Sequence, residues 1–132
     1  MIALDTNVLV RFLVQDDQDQ ARVASAAIER LTEDEPGFVC REVMVELVWV
    51  LERAYRLDRP RIAGALDGLL SAIELVVEGS DDVAPALELY RNDGFDFADL
   101  MIAAAARRAG ASELLTFDKR AARLPNVRMF QR

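Results

Sequence analysis

The sequence predicts an α/β fold with a central, mainly parallel β-sheet of about five strands flanked by helices. Five short apolar runs alternate along the chain with six longer segments in which apolar residues recur at helical spacing. Strands and helices that alternate in this way are typical of an α/β sandwich. At 132 residues the chain is long enough for a core but too short for two domains, so we expect a single domain over residues 1–132.

The predicted elements follow one another without a repeat or a linker. The strand-like runs cover residues 2–5, 38–40, 75–78, 113–117 and 127–130. The helical patterns cover residues 7–14, 18–31, 43–55, 61–73, 83–92 and 98–109. Breakers and caps support these limits. Pro36 and Gly37 precede the second strand, Pro60 suits the first turn of a helix, Ser80 offers a helix cap, and Gly110 suits the position after a helix end.

The composition indicates a globular protein of the cytoplasm. Apolar residues make up 52% of the chain and charged residues 30%, which excludes a disordered chain. No apolar run approaches the roughly 18 to 20 residues of a membrane span, and the N-terminus does not read as a signal peptide, so no membrane association is expected. The single cysteine, Cys40, cannot form an internal disulfide and is expected to be a small buried side chain.

The chain contains no histidine, which removes Ser-His-Asp and Cys-His nucleophiles and typical zinc sites. Catalysis would therefore use carboxylates, hydroxyls, arginine, the one lysine (Lys119) or a metal ion. The net charge of −7 does not by itself favour a nucleic-acid partner. From Arg107 onward, however, seven basic residues stand against two acids, so the charge is unevenly distributed along the chain.

Four acidic residues occupy positions that are unusual for surface charges. Asp5 follows three apolar residues, Glu46 lies in an apolar helix, Asp99 lies at a helix start, and Asp118 comes just after a strand-like run. A buried carboxylate is costly to desolvate unless a cation neutralises it. Hard divalent cations prefer oxygen ligands, so these acids predict a site for Mg²⁺ or Mn²⁺. If their strands are parallel neighbours, Asp5 and Asp118 emerge at the same edge of the sheet.

The first two acids also have structural interpretations. Asp5 could belong to a simple strand-to-helix turn that Thr6 or Asn7 caps, although this leaves an acid after three apolar residues unexplained. The neighbours of Glu46 predict a helix that is buried over most of its circumference. The alternative is an amphipathic helix with a polar stripe of Glu42, Glu46 and Arg53.

The other two acids are also open to a structural interpretation. Asp96 as N-cap, with Asp99 three residues later, resembles a capping box, and we therefore expect Asp96 to cap the helix rather than bind a ligand. Asp99 would open an alanine-rich helix that can approach a sheet closely. Asp118 could simply begin a turn, but Thr116 lies two residues earlier, so both side chains could face the same space.

At these segments the sequence resembles the PIN-domain nucleases and, among them, the VapC-type toxins of bacterial toxin–antitoxin pairs. The matching segments are residues 2–9, the helix that carries Glu46, residues 96–99 with their alanine-rich continuation, and residues 116–119. They occur in family order and cover essentially the whole chain. The resemblance implies a PIN-like three-layer sandwich.

The resemblance also implies a function and a site. The family's acidic quartet falls on Asp5, Glu46, Asp99 and Asp118, with Asp5 and Asp99 as the principal ligands of Mg²⁺ or Mn²⁺. Supporting positions fall on Thr6, Asn7 and Thr116, with Asp96 as the cap, and candidates for binding RNA phosphates are Arg11, Lys119 and Arg120. The implied protein is a metal-dependent endoribonuclease that acts as a toxin and is restrained by a small antitoxin protein, and a homodimer is expected.

Two other functions share parts of this pattern. An aspartyl-phosphate protein of the receiver or haloacid-dehalogenase type also places acids at strand ends, but the dehalogenase motif needs an acid where Asn7 stands, and the acidic pair of a receiver is missing. A non-catalytic PIN-like binding module would be expected to have lost part of the quartet, which is intact here. Affinity for divalent ions would separate such a module from a nuclease.

Overall fold

The computed structural model describes residues 1–130 of the chain. Its strands are β1 (Ile2–Ala3), β2 (Gly37–Val39), β3 (Leu75–Val77), β4 (Leu114–Thr116) and β5 (Val127–Met129). Its α-helices are α1 (Thr6–Val14), α2 (Gln18–Glu29), α3 (Arg41–Arg53), α4 (Arg59–Ser71), α5 (Ser80–Asp93) and α6 (Phe97–Arg108). A turn of 3₁₀ helix covers Ala121–Arg123. The contacts divide the chain into two compact units, Met1–Ser80 and the residues from Asp81 onward.

The first unit is built on a three-stranded parallel sheet. β2 is the central strand and pairs with β1 on one side and β3 on the other. Gly37 opens β2 at a crowded position, because an added Cβ would lie 2.8 Å from the side chain of Leu31 and 3.1 Å from those of Leu4 and Leu75. A larger residue there would have to displace these packed leucines.

Helices α1, α3 and α4 each bury an apolar face in the core of the first unit. The largest fully buried side chains of this unit are Leu9, Val39, Met44, Leu47, Leu51, Ile62 and Leu66. Each such burial stabilises the fold by about 1.5–3 kcal/mol relative to exposure. Aspartates fix where two helices begin, because Asp17 caps α2 and Asp58 caps α4, each accepting a backbone N–H bond of 3.0 Å.

The second unit contains α6, most of α5 and the parallel pair β4–β5. Tyr90 of α5 and Phe97 of α6 are buried and meet edge to face, with ring centroids 6.1 Å apart. Gly110 ends α6 with a φ of +85°, while the N–H groups of Gly110 and Ala111 donate to the carbonyls of Arg107 and Ala106. This Schellman motif needs a left-handed residue, which explains the glycine.

The α/β class and the parallel strand pairing are confirmed, and each predicted strand and helix is present with shifts of a few residues at the ends. The five strands form a three-stranded sheet and a two-stranded sheet. Apolar runs reveal how many strands there are but not which strands pair. The 3₁₀ turn after β4 was not predicted, because a three-residue element has no hydrophobic period to detect.

None of the helices in residues 1–130 combines the length and the apolar character needed to cross a lipid bilayer.

Candidate functional site

Asp5 lies between β1 and α1 and is itself the N-cap of α1. Its carboxylate accepts the Thr6 N–H at 2.8 Å, and its carbonyl accepts the Val8 N–H at 3.2 Å. The alternative in which Thr6 or Asn7 caps the helix is therefore wrong, because Asp5 itself is the cap. Asp5 is exposed, and so are both residues of β1, because this two-residue strand turns its side chains to solvent. The premise of a buried carboxylate does not hold for Asp5.

Thr6 joins α1 to α3 through its hydroxyl, which donates to Oε1 of Glu46. Thr6 is buried, whereas Glu46 is exposed. A buried hydroxyl needs a hydrogen-bond partner, and the carboxylate supplies it. The bond also fixes the direction of Glu46 relative to the start of α1, where Asp5 stands. The supporting position predicted at Thr6 thus contacts one of the predicted acids.

Helix α3 is amphipathic rather than buried on nearly every side. Its core face consists of Val43, Met44, Leu47, Val48 and Leu51. The opposite face exposes Glu42, Glu46, Trp49 and Arg53. The expectation of a mostly buried helix is wrong and the amphipathic alternative is right, because Val45 and Val50 are only half-buried and Trp49 faces solvent.

Arg11 is engaged in a network at the surface of the first unit. Its guanidinium donates to Gln20 at 2.5 Å, to Asp16 at 3.0 Å and to the Tyr55 hydroxyl at 3.1 Å, and the Tyr55 hydroxyl donates to Asp16 at 2.9 Å. The pKa of Asp16 is lowered, first by the hydrogen bond from Tyr55 and then by the charge of Arg11. The pKa of Arg11 is raised, first by its hydrogen bond to Tyr55 and then by the charge of Asp16. A phosphate could bind Arg11 only by exchanging with these partners.

Asn7 is exposed and lies at one end of a groove between α1 and α2. The groove has a volume of about 390 Å³ and an almost entirely apolar surface. Its apolar wall is formed by Val8, Val23, Ala24 and Ala27. Val23 is 72% exposed, which is unusual for an aliphatic side chain in a helix that buries its other face.

In the second unit, Asp96 and Asp99 open α6 in different roles. Asp96 is the N-cap, and its carboxylate accepts the Asp99 N–H at 3.3 Å, as predicted. Asp99 occupies the third helical position and is half-buried. Burial of the Asp99 carboxyl, and then the negative charges of Asp96 and Asp118, raise its pKa above the usual range. Three predicted acids of this unit therefore influence one another.

Asp118 organises the turn after β4. Its Oδ1 accepts the N–H of Arg120 at 2.8 Å and that of Ala121 at 3.0 Å. Its own N–H donates to the Thr116 hydroxyl at 3.0 Å. Thr116 thus contacts the backbone of Asp118, and the expectation that the two side chains face the same space stays a prediction. Asp118 both begins a turn and lies near Asp99, so its two interpretations are compatible.

The predicted phosphate-binding residues of this unit flank the same turn. Lys119 and Arg120 are exposed directly after Asp118. Arg120 donates to the carbonyl of Gly94 at 3.4 Å, which is a weak bond. Cys40, in the first unit, occupies the N-cap position of α3, but its side chain makes no capping hydrogen bond. Its free thiol is half-buried, so the expectation of a buried side chain is wrong.

The acids fit a hard divalent cation by their chemistry. Among residues 1–130, no three Asp, Glu or Cys side chains are arranged closely enough to be a ready-made metal site. The charges of Asp96 and Asp118 nevertheless raise the pKa of Asp99, because electrostatic repulsion acts over longer distances than ligation. A cation beside Asp99 would relieve that repulsion. Within residues 1–130, none of the five predicted acids forms an ion pair with a basic residue of the same unit. These acids are Asp5, Glu46, Asp96, Asp99 and Asp118.

Comparison with known proteins places this chain in a family. The family model described as PIN domain matches residues 2–127. The VapC ribonuclease of Aquifex aeolicus (strain VF5) is 29% identical over 120 residues, which are 91% of this chain and 89% of that protein. A crystal structure of Mycobacterium tuberculosis VapC20, a sarcin-ricin loop cleaving toxin, is similar at 21% identity with a TM-score of 0.47, covering 96% of this chain and 97% of that one. Because the family model spans nearly all of the sequence, this chain belongs to the PIN domain family.

Proposed function

We propose that this protein is a metal-dependent endoribonuclease and the toxin of a toxin–antitoxin pair. The observation that carries the proposal is the match of residues 2–127 to the PIN domain, together with similarity to a VapC ribonuclease over 91% of the chain. The absence of histidine agrees with hydrolysis that runs on carboxylates and divalent cations. The family match extends through both compact units, which supports a single PIN domain over residues 1–132.

The proposed site residues are the four acids of the family quartet: Asp5 and Glu46 of the first unit, and Asp99 and Asp118 of the second. The raised pKa of Asp99 supports a cation-binding role, since Mg²⁺ or Mn²⁺ would favour the ionised carboxylate that its neighbours disfavour. When bound, such a cation supplies an activated water and neutralises the charge that builds on the phosphate.

The chain's own residues position these carboxylates. Thr6 orients Glu46 by donating its hydroxyl hydrogen bond. Asp96 fixes the start of α6 and hence the backbone of Asp99. Two N–H groups of the following turn hold one oxygen of Asp118. Side chains fixed in this way lose little further freedom when they bind a cation and a substrate. Lys119 and Arg120 are proposed to bind phosphates that flank the cleaved bond.

Partners and location follow from the same assignment. We propose RNA as the substrate, a small antitoxin protein as the inhibitor, a homodimer as the assembly, and the cytoplasm as the location. The apolar groove between α1 and α2 is the proposed seat of an antitoxin segment, because its apolar wall ends at Asn7, two residues from Asp5. A basic side chain of the antitoxin would be attracted by the unneutralised carboxylate of Asp5.

The metal dependence can be tested directly with the purified protein and a mixture of cellular RNA. EDTA should abolish cleavage, and adding Mg²⁺ or Mn²⁺ in excess should restore it, because the carboxylates alone repel the phosphate. Sequencing the new RNA ends would show whether cleavage occurs at defined sites. Full activity in EDTA would refute the metal-dependent mechanism. A protein that binds divalent ions and RNA without cutting would instead be a binding module.

A further inference from the structure

Trp49 is exposed on the same face of α3 as the predicted site residue Glu46. It is the only tryptophan of the chain, and 56% of it is accessible to solvent. It lies three residues after Glu46, which places the two side chains within about one turn on one face of the helix. The core of the first unit does not use this ring, because α3 packs through its opposite face.

Arg53 extends the same face by one more turn. Its guanidinium carbon lies 5.7 Å from the centre of the Trp49 ring, which is a cation–π contact. Arg53 lies seven positions after Glu46, so their Cα atoms are about 10 Å apart along the helix axis. The face therefore runs from a carboxylate, past an aromatic ring, to a cation. Arg53 contacts the ring without covering it, since more than half of Trp49 remains exposed.

An indole beside a guanidinium offers the two contacts that a single-stranded nucleic acid needs. Every base has a flat face that stacks on aromatic rings, and each nucleotide carries a phosphate that an arginine can bind. The position of Arg53 on the helix also keeps a bound phosphate apart from the acidic side chains of this face. A phosphate at Arg53 would lie away from the carboxylates of Glu42 and Glu46, which would repel it.

We propose that Trp49 and Arg53 form a subsite for single-stranded RNA, in which a base stacks on the indole and a neighbouring phosphate binds the guanidinium. The subsite rests on the proposed ribonuclease function and names a part of its substrate contact. Because the ring lies one turn from Glu46, the subsite would hold a nucleotide close to the bond that is cut. Trp49 and Arg53 are binding residues here and take no part in the chemical step.

The single tryptophan makes the subsite directly observable. The full-length protein in EDTA is titrated with an oligoadenylate RNA of about ten nucleotides while its tryptophan fluorescence is recorded. We expect saturable quenching, and we expect Trp49→Ala to weaken binding of a labelled oligonucleotide roughly tenfold, as loss of one stacked base should. Trp49→Phe should restore part of the affinity. Arg53→Ala should lower the salt dependence of binding by the contribution of about one phosphate.

Ile73→Ala is the matched control, because Ile73 is similarly exposed at 67% but lies outside helices and strands of the first unit. It should bind RNA like the unchanged protein. In Mg²⁺, Trp49→Ala should raise the KM for RNA cleavage much more than it lowers kcat. A duplex RNA, whose bases are already stacked, should bind Trp49→Ala and the unchanged protein equally well.

The outcomes separate the subsite from the enzyme. Cleavage by the unchanged protein with no fluorescence response and an unaltered KM in Trp49→Ala would overturn the subsite and leave the nuclease standing. Binding that depends on Trp49 without any cleavage would support the subsite and refute the nuclease. If Trp49→Ala converted a dimer to a monomer in light scattering while its RNA affinity stayed the same, Trp49 would belong to a subunit interface and the proposal would be wrong.

Discussion

At the scale of single residues, the carboxylates at the start of α6 show how neighbours assign different roles to the same side chain. The carboxylate of Asp96 accepts a hydrogen bond from the Asp99 N–H, so helix capping explains why an acid stands at this position. Asp99 lies in the first turn of α6, where the helix dipole favours an acid, yet burial and two like charges raise its pKa despite that position. The residue with an unexplained electrostatic cost is the better candidate for function.

We therefore expect Asp99→Asn and Asp96→Asn to differ sharply. Asp99→Asn should lower turnover by at least about 100-fold. In EDTA it should raise the melting temperature, since a raised pKa means that the ionised carboxylate destabilises the fold at neutral pH. Asp96→Asn should change both quantities little, because asparagine caps a helix nearly as well as aspartate. RNA cleavage and thermal unfolding of the two variants provide the measurements, and equal damage from both would refute the division of roles.

A second residue-scale prediction concerns pH and the network of Arg11, Asp16 and Tyr55. The pKa of Asp16 is lowered in the folded protein, first by the bond from Tyr55 and then by Arg11. Its contribution to stability is thus present above the ordinary pKa of an aspartate and is lost as the pH falls through the lowered value. The melting temperature of Asp16→Asn should lie slightly below that of the unchanged protein at pH 7, and the difference should vanish in strong acid. Asp19→Asn is the control, since Asp19 pairs with the exposed Arg22 and does not belong to this network. A difference that grows toward low pH would contradict this account.

At the scale of elements, the sequence predicts the strands and helices well because each has a clear apolar period or a breaker at its end. It singles out Asp5, Asp99 and Asp118 as candidate site residues because acids at element boundaries stand out, and Glu46 because its helix is rich in apolar residues. Their role in catalysis stays a prediction. It cannot predict exposure, which depends on packing partners. Asp5 and Glu46 were expected to be buried and are exposed, since β1 is only two residues long and α3 packs through one face. For the same reason the exposed Trp49 was not singled out, although its spacing from Glu46 was visible.

The groove between α1 and α2 gives the element-scale prediction. If an antitoxin segment binds there, a charge at the exposed Val23 should disrupt the complex, because it would face an apolar surface. Val23→Asp should weaken antitoxin binding by at least about tenfold while RNA cleavage by the free protein stays normal. Ile73→Asp adds the same charge at an exposed position outside the groove and should bind antitoxin normally. Isothermal titration with the purified antitoxin would measure both, and unchanged binding of Val23→Asp would place the antitoxin elsewhere.

At the scale of the whole molecule, the charge of the chain is at odds with its proposed substrate. The net charge is −7, and two arginines of the basic C-terminal region are already paired, Arg108 with Asp82 and Arg128 with Glu113. Long-range attraction thus offers RNA little help in reaching this protein. If RNA is the substrate, local features would have to hold it, namely the proposed divalent cations at the acids and the proposed basic and aromatic side chains beside them. Such an enzyme would select RNA that can make these local contacts, and it would not bind every polyanion.

The final prediction concerns the effect of the protein on a cell. Expressed alone in a bacterium, it should arrest growth, because an unrestrained endoribonuclease depletes an essential RNA. Co-expression of the protein encoded beside it should relieve the arrest by covering the groove and placing a basic side chain near the carboxylates, where it would compete with the divalent cation. Asp99→Asn, expressed to the same level, should be harmless and should still bind the partner, because the groove between α1 and α2 does not include this residue. Growth curves and co-purification measure the two properties separately. A free protein that cleaves RNA in vitro, leaves growth unaffected and has no binder encoded next to it would refute the toxin assignment while the nuclease assignment stands.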